Sequence, residues 1–288
     1  MKSLSKIIVL AGYGLNCEEE TAHAFNLSNG DADIVHINDL IAKPNLLKNY
    51  QILAIPGGFS YGDDLGSGKA YANKLNNHLR EQLTNFAAQD KLIIGICNGF
   101  QILTNLGLLP GVLTFNDNNR YTDRWVDVRI NTPTQPPPSR GRSHRLAQKD
   151  EFPSLEGRGQ GRVMSPWLTG IKNLSLPIAH GEGKFVADDK TMKSIKKQKM
   201  IAGVYYKGEI CNYQNLSYNP NGSTLDIAML TSPNGKILGT MPHPERAMFF
   251  TQAPNWPLLK EKLIRSGKPL PRFADGLQIF KNSINYFK

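Results

Sequence analysis

Cys97 has the sequence surroundings of a cysteine nucleophile. It lies in Gly95-Ile96-Cys97-Asn98-Gly99, directly after the apolar run Lys91–Ile96 and before the helical pattern Phe100–Leu106. A nucleophile on a sharp strand-to-helix turn is raised above the sheet, two glycines leave room for the tight backbone, and the start of the helix favours a thiolate. The pattern is equally compatible with a structural cysteine, because glycine pairs are common in such turns.

His243 and Glu245 supply the acid–base groups that such a cysteine needs. They lie two residues apart in Met-Pro-His-Pro-Glu-Arg-Ala, at the end of the strand-like run Ile237–Met241. The imidazole can accept the thiol proton and later donate it to a leaving amine, while the carboxylate orients the imidazole. The prolines on both sides of His243 predict a rigid turn rather than a continuing strand. We therefore predict a triad of Cys97, His243 and Glu245.

Strand and helix signals alternate in the first half of the chain, and strands dominate the second half. The predicted strands are Lys6–Ala11, Ala32–Ile37, Gln51–Pro56, Lys91–Ile96, Trp125–Ile130, Leu174–Ala179, Met200–Tyr206, Thr224–Leu230 and Ile237–Met241. The predicted helices are Glu18–Leu27, Lys69–Ala88 and Phe100–Leu106. Alternation of this kind predicts right-handed crossovers and a parallel sheet. Ligands of such sheets bind outside the carboxyl ends of the strands, where both Gly57-Gly58 and Cys97 fall.

Residues 132–165 differ in composition from the rest of the chain. These 34 residues are rich in Pro, Gly, Arg and Ser and carry six basic against three acidic residues. They contain too few apolar groups to offset the entropy of ordering them. Because strand patterns resume on both sides, we predict a flexible, low-complexity basic insertion within a single domain of residues 1–288. An arginine-rich tether for an anionic partner is the alternative.

The composition of the 288 residues is that of an ordinary globular protein, with 40% hydrophobic residues and a formal net charge of +10. The positive charge is dispersed, so we predict no nucleic-acid partner. No apolar run reaches the length of a membrane span, and Ile7–Ala11 is interpreted as a strand rather than a signal peptide. Three cysteines without a Cys-x-x-Cys pair predict neither a disulfide framework nor a zinc site. We therefore expect a cytoplasmic protein without a metal centre.

The segment Gly66-Ser67-Gly68-Lys69 is similar to part of a phosphate-binding P-loop. A P-loop also needs Gly at position 63 and Ser or Thr at position 70. The chain has Asp63 and Ala70 instead. We therefore predict no nucleotide site and no cofactor on this chain, so that ATP chemistry would belong to another polypeptide.

Six segments resemble the class I (triad) glutamine amidotransferases, and within that class the glutaminase subunits of phosphoribosylformylglycinamidine synthase. Gly-Ile-Cys-Asn-Gly-Phe-Gln and His-Pro-Glu are typical of the class, whereas Ser-Tyr-Gly-Asp, Arg-Tyr-Thr-Asp-Arg-Trp and His-Gly-Glu-Gly-Lys-Phe indicate the narrower family. The matching segments are residues 12–20, 56–68, 95–103, 120–125, 179–185 and 241–249. They span nearly the whole chain apart from the insertion.

The resemblance implies a flavodoxin-like α/β fold, with a mostly parallel sheet flanked by helices. It implies that Cys97 is the nucleophile, His243 the acid–base group and Glu245 its orienting carboxylate. The implied substrate-binding residues are Gly57 and Gly58 at the oxyanion strand end, Asn98 with its backbone N–H, and Gln101, which helps to seat glutamine. Residues 179–185 belong either to the pocket or to a surface that faces a synthetase. Cys17 is expected to be a structural loop cysteine, and Cys211 has no assigned role.

The implied reaction is the hydrolysis of glutamine to glutamate and ammonia. The ammonia would pass to a synthetase subunit, which uses ATP and Mg²⁺ to convert formylglycinamide ribonucleotide to formylglycinamidine ribonucleotide in purine biosynthesis. Some members of the family add a small accessory subunit. Two other hypotheses remain at this point. One is a cysteine hydrolase or redox-sensing protein on the same elbow, and the other is a basic nucleic-acid-binding protein with steeply salt-dependent binding.

Overall fold

The apolar runs of the sequence form one large sheet in the computed structural model, which describes residues 4–63, 66–131 and 165–288. The strands are β1 (Lys6–Ala11), β2 (Asp31–His36), β3 (Ile52–Ile55), β4 (Leu92–Ile96), β5 (Val112–Thr114), β6 (Thr122–Ile130), β7 (Asn173–His180), β8 (Lys184–Val186), β9 (Ile201–Tyr206), β10 (Ile227–Thr231) and β11 (Ile237–Thr240). The α-helices are α1 (Glu18–Leu27), α2 (Ile37–Ala42), α3 (Lys69–Ala88), α4 (Asn98–Asn105), α5 (Asp189–Lys197), α6 (Glu209–Gln214), α7 (Trp256–Arg265) and α8 (Gly276–Asn285).

Nine of the strands in the described residues make one sheet, in the order β2-β1-β3-β4-β11-β10-β9-β6-β7. The first five strands in this order pair in parallel, and the remaining pairs are antiparallel. Only β10 and β6 therefore run against the common direction. The order of the first five strands is the flavodoxin-like order 2-1-3-4-5. The predicted fold, a flavodoxin-like and mostly parallel sheet flanked by helices, is confirmed.

The central strands are buried along their whole length. Every residue of β3, β4 and β11 is buried, and only the first residue of β1 is exposed. Continuous burial is typical of parallel strands covered on both faces, and it explains the unbroken apolar runs of the sequence. The carboxyl ends of these buried strands provide the platform for the side chains that follow them.

Two predicted strand boundaries differ from the structure because of local backbone geometry. The strand predicted at Thr224–Leu230 begins only at Ile227, since Leu225 and Asp226 adopt left-handed conformations with φ of 54° and 55°. A side chain seldom adopts this conformation within a strand. The strand predicted at Ala32–Ile37 ends at His36, where the imidazole Nδ1 accepts a hydrogen bond from Asn38 N and caps α2. The predictions for β1, α1 and α3 match the structure at both ends.

The basic insertion lies almost entirely outside the described residues, so its predicted flexibility stays a prediction. Among the helices that the structure describes, none is both long and apolar enough to cross a bilayer. The loops that follow the carboxyl ends of β3, β4, β11 and β7 carry the side chains of the candidate site.

Candidate active site

Cys97 occupies a strained turn between β4 and α4. Its backbone has φ 50° and ψ −105°, which is unusual for a residue with a side chain, and its exposed fraction is 4%. Strain of this kind is common at nucleophile elbows, where it directs the side chain away from the sheet. The Cys97 amide donates a 2.7 Å hydrogen bond to Thr240 O at the end of β11. The thiol is therefore fixed at the start of a helix, which stabilises negative charge on sulfur.

The two halves of the predicted triad lie at the ends of neighbouring strands. β4 and β11 pair in parallel, with Ile96 opposite Thr240. Cys97 follows the first strand directly, and His243 follows the second after a short turn. The His243 amide donates a 2.8 Å hydrogen bond to Pro177 O of β7, which fixes the turn to a third strand. The sheet thus brings together two residues that are far apart in the sequence.

His243 and Glu245 form a buried pair. The imidazole Nδ1 lies 2.5 Å from Glu245 Oε1, and the exposed fractions of the two side chains are 2% and 0%. The predicted rigid turn is a short 3-10 helix at Pro244–Arg246. Because Nδ1 is used by the carboxylate, Nε2 is the nitrogen available for proton transfer, as the triad mechanism requires.

The surroundings of His243 favour its protonated form. Burial opposes the positive charge, but the Glu245 carboxylate and the nearby Cys97 and Cys17 sulfurs outweigh it. The pKa of His243 is therefore raised well above its usual range. A protonated imidazole beside a cysteine favours the thiolate, which is the attacking species.

Gly57 and Gly58 form a tight turn after β3 that only glycine can adopt. Gly58 has φ +153°, and a β-carbon there would lie 2.4 Å from Gly14 O. Gly57 O accepts hydrogen bonds from the amides of Asn16 and Cys17, at 3.1 and 3.2 Å. The segment before α1 therefore holds this turn from one side. A β-carbon on Gly57 would lie only 2.7 Å from His243 Cε1, so the turn passes directly beside the His243 imidazole.

Asn98 and Gln101 belong to a row of buried hydrogen bonds across the site. Asn98 Oδ1 accepts from the Ser60 amide at 3.3 Å, and Asn98 Nδ2 donates to Gln101 Oε1 at 2.8 Å. Gln101 Nε2 then donates to Glu182 O at 2.6 Å. The row connects Ser60, which follows the glycine turn, with helix α4 and with residues 179–185. The structure therefore brings all seven predicted site residues together around Cys97.

Residues 179–185 contact both Cys97 and Gln101. Cys97 Sγ lies 3.8 Å from Ala179 O, and Glu182 O accepts the Gln101 hydrogen bond. Two buried asparagines hold the segment from behind: Asn116 Oδ1 accepts from the Gly183 amide, and Asn221 Nδ2 donates to Gly183 O. The sequence identified this segment but left its role open between pocket and surface. These contacts favour the pocket.

His180 is a buried neutral imidazole next to the triad. Asn116 Nδ2 donates to carbonyl oxygens, so Asn116 Oδ1 is the acceptor that faces His180 Nδ1 at 3.2 Å. His180 Nδ1 therefore carries the proton, and Nε2 is an acceptor without a hydrogen-bond partner among the described residues. Burial lowers the pKa of His180 to about 3, with a further contribution from the charge of His243. The sequence gave no signal for this role beyond the segment that contains it.

Cys17 and Arg246 also reach the site, although the sequence assigned a role to neither. Cys17 lies in the loop directly before α1 and is fully buried, and Arg246 Nη2 lies 2.9 Å from its sulfur. Cys17, His243 and Glu245 each place one potential metal-ligand atom within 4.8 Å of the others. However, Nδ1 of His243 already bonds to Glu245, and the guanidinium supplies a positive charge where a cation would bind. The absence of a metal centre stays a prediction.

The fold and the geometry around Cys97 define a protein of the glutamine amidotransferase class. The sequence agrees, because residues 5–140 and 159–287 match the CobB/CobQ-like glutamine amidotransferase domain. This chain belongs to that family, and within it to the PurQ subunits of phosphoribosylformylglycinamidine synthase. Of the three hypotheses drawn from the sequence, the glutamine amidotransferase is therefore the correct one.

Individual relatives align with the chain over nearly its whole length. It is 43% identical to the phosphoribosylformylglycinamidine synthase subunit PurQ of Methanococcus maripaludis (strain S2), over 100% of this chain and 99% of that protein. It is 36% identical to the PurQ subunit of Dehalococcoides mccartyi, over 98% and 97% of the two chains. A chain in the structure of PurLQS from Thermotoga maritima superposes with a TM-score of 0.64 at 27% identity, covering 99% of this chain and 100% of that one.

Proposed function

We propose that this chain hydrolyses glutamine with Cys97, His243 and Glu245 and supplies the ammonia to a synthetase subunit. That subunit would use ATP and Mg²⁺ to convert formylglycinamide ribonucleotide to formylglycinamidine ribonucleotide in purine biosynthesis. The observation that carries the proposal is the pairing of β4 with β11, which sets the Cys97 elbow beside the buried His243–Glu245 pair. A small accessory subunit and a cytoplasmic location belong to the same proposal.

The first half of the reaction forms a covalent intermediate. The Cys97 thiolate attacks the side-chain carboxamide carbon of glutamine, and the carbonyl oxygen becomes an oxyanion. Backbone N–H groups near Gly58 and Asn98 stabilise this oxyanion at the positions that the glycine turn and the elbow provide. Protonated His243 then donates its proton to the departing nitrogen, so that ammonia leaves and a γ-glutamyl thioester remains on Cys97.

The second half restores the enzyme. His243, now neutral, accepts a proton from water, which attacks the thioester carbonyl. Glutamate is released, and Cys97 and His243 return to the thiolate and imidazolium forms. Glu245 stays bonded to Nδ1 throughout and keeps Nε2 directed at the reacting atoms. In the complete reaction, one glutamine and one water are consumed, and one glutamate and one ammonia are formed.

The proposal is tested on the assembled synthetase complex by separating ammonia production from ammonia use. A complex that carries Cys97→Ser should lose glutamine-dependent synthesis by several orders of magnitude. It should keep synthesis supported by ammonium salt at high pH, where more free ammonia exists. The matched control is Cys211→Ser, a buried cysteine whose thiol bonds to Leu216 O instead. If ammonium failed to rescue a correctly assembled Cys97→Ser complex, delivery of ammonia to the synthetase would be rejected.

A further inference from the structure

Cys17 packs against the catalytic pair from a different part of the chain. Its sulfur lies at the start of α1, is fully buried, and belongs to the cluster with His243 and Glu245. A β-carbon built on Gly57 would contact His243 Cε1 at 2.7 Å and Cys17 Sγ at 3.3 Å. The thiol and the imidazole thus lie over the same glycine, and a side chain at position 57 would collide with both.

Arg246 connects Cys17 to Glu245. Its Nη2 lies 2.9 Å from Cys17 Sγ, and its Nε lies 4.0 Å from Glu245 Oε1. The side chain is 37% exposed, and a free arginine would lose rotamer entropy by staying there. The sulfur is the only hydrogen-bond acceptor that the described residues offer to its guanidinium at this distance. Cys17 therefore holds a cation in a fixed place beside the catalytic carboxylate.

We propose that Cys17 is a positioning residue, whose sulfur packs beside the His243 imidazole and accepts the hydrogen bond that holds Arg246 next to Glu245. This inference rests on the proposed glutaminase function, because it assigns Cys17 a role in that reaction. Cys17 is not a second nucleophile. It acts on the substrate only through His243, Glu245 and Arg246.

Charged and titratable groups surround His243 on every side that the structure describes. They are Glu245 and Arg246 in its own turn, Cys97 at the elbow, Cys17 at the start of α1, His180 at the end of β7 and Tyr121 before β6. Burial is the largest influence and disfavours the imidazolium, whereas Glu245 and both cysteines favour it. The equilibrium between protonated and neutral His243 therefore depends on the two sulfurs as well as on the carboxylate.

These charges determine whether each substitution raises or lowers the pH at which His243 loses its proton. Cys17→Ala removes a sulfur that favours the imidazolium, so His243 should lose its proton at a lower pH. Arg246→Gln removes a nearby cation, so His243 should keep its proton to a higher pH. Cys17→Ser retains an acceptor for the guanidinium and should lie between Cys17→Ala and the unaltered protein.

The test is the pH profile of kcat/KM for glutamate release by the full chain in the assembled complex. The alkaline limb of a bell-shaped profile reports loss of the proton from the catalytic acid. In Cys17→Ala we expect this limb to move to lower pH by about 0.5–1 pH unit. In Cys17→Ser it should move in the same direction by a smaller amount, and in Arg246→Gln it should move to higher pH. Cys211→Ala, which removes a buried thiol elsewhere, should leave it in place. Thermal unfolding of each variant verifies that the chain is folded.

A second readout needs no activity. NMR titration of the six histidines, labelled at Cε1 and assigned with His243→Gln, reports the protonation of His243 directly. An unmoved His243 titration in folded Cys17→Ala would overturn the positioning role, as would equal shifts in Cys17→Ala and Cys211→Ala. If the unaltered protein releases no glutamate, the proposed function fails instead, and the NMR titration still decides whether Cys17 controls His243.

Discussion

Gly99 lies so close to Ile55 that a β-carbon on Gly99 would be 1.9 Å from the Ile55 carbonyl oxygen. A β-carbon on Gly95 would likewise lie 2.5 Å from Gly99 O. The elbow helix α4 therefore passes directly over the ends of β3 and β4, and this brings the Cys97 elbow beside the glycine turn. The two glycines around Cys97 are required by this close approach of backbone to backbone.

Gly99→Ala should therefore destabilise the protein and displace Cys97. The clash is with a backbone oxygen that cannot move aside, so we expect a loss of about 3 kcal/mol in the free energy of unfolding. Chemical denaturation measures this loss. Gly181→Ala is the matched control, because a β-carbon there would meet nothing within 4 Å. Equal stability of the two variants would contradict the close packing of α4 on β3.

The fold could be predicted from the sequence where burial is continuous. Strands such as β1 and the long amphipathic helix α3 have patterns that no local feature interrupts, and both match at their ends. The antiparallel half was less predictable. The short strands β5 and β8 have only 3 residues each and pair with one another outside the main sheet. Three residues are too few for a period to be recognised.

Glu245→Gln should reduce glutamate release without unfolding the protein. The amide keeps the shape of the side chain but cannot stabilise the imidazolium, so kcat/KM should fall by about 10²- to 10⁴-fold. The pKa of His243 should fall too, because the Glu245 charge is a main cause of its elevation. The free energy of unfolding should also fall, by up to about 3–5 kcal/mol, because the buried imidazolium loses the carboxylate that compensates its charge.

The comparison for this variant is Glu261→Gln, on an exposed face of α7 where Glu261 pairs with Arg265. Steady-state kinetics and chemical denaturation are measured on both variants. Turnover of Glu245→Gln within a factor of three of the unaltered chain, roughly the scale of ordinary surface substitutions, would remove Glu245 from the triad.

His180 should make the protein sensitive to acid. Its pKa is lowered to about 3 in the folded state, against about 6.5 when unfolded. Between these two pKa values the unfolded chain binds one more proton than the folded chain. The contribution of His180 to the free energy of unfolding is therefore fully present above about pH 6.5. Below that pH it falls by up to about 1.4 kcal/mol per pH unit. His180→Gln should flatten this dependence between pH 6 and 4, measured by urea denaturation. The control His78→Gln, at an exposed position, should leave the pH dependence as it is. If the free energy of unfolding depended equally on pH in the unaltered chain and in both variants, His180 would not be its cause.

The candidate site was predictable to the extent that its residues lie in local motifs. Cys97, His243 and Glu245 follow strands and carry recognisable neighbours, so sequence alone could place them. Cys17 and Arg246 could not be paired in this way, because their contact spans 229 positions and depends on how α1 meets the turn after β11. A single buried cysteine has no sequence pattern that separates a structural role from a functional one.

Removing the basic insertion should leave stability nearly unchanged. Residues 132–165 offer few apolar groups to a core, and the cost of closing a loop depends only weakly on its length. A chain in which a short Gly/Ser linker replaces the insertion should unfold within about 1 kcal/mol of the unaltered chain. Trypsin should cut the unaltered chain first at the insertion arginines. A truncated chain that did not fold, or an insertion that resisted trypsin, would show that the segment is part of the folded domain.

Chelation should separate the chemistry of this chain from that of its proposed partner. The steps assigned to Cys97 and His243 use thiolate attack and proton transfer, and the Cys17–Arg246 contact places a guanidinium where a metal would compete. Glutamate release by the isolated chain should therefore be unchanged after treatment with a chelator. Ammonia-dependent synthesis by the complex should be lost and then restored by Mg²⁺, because ATP chemistry on a synthetase requires it. Glutamate release that fell on chelation and recovered with added Zn²⁺ would instead show that Cys17, His243 and Glu245 bind a metal.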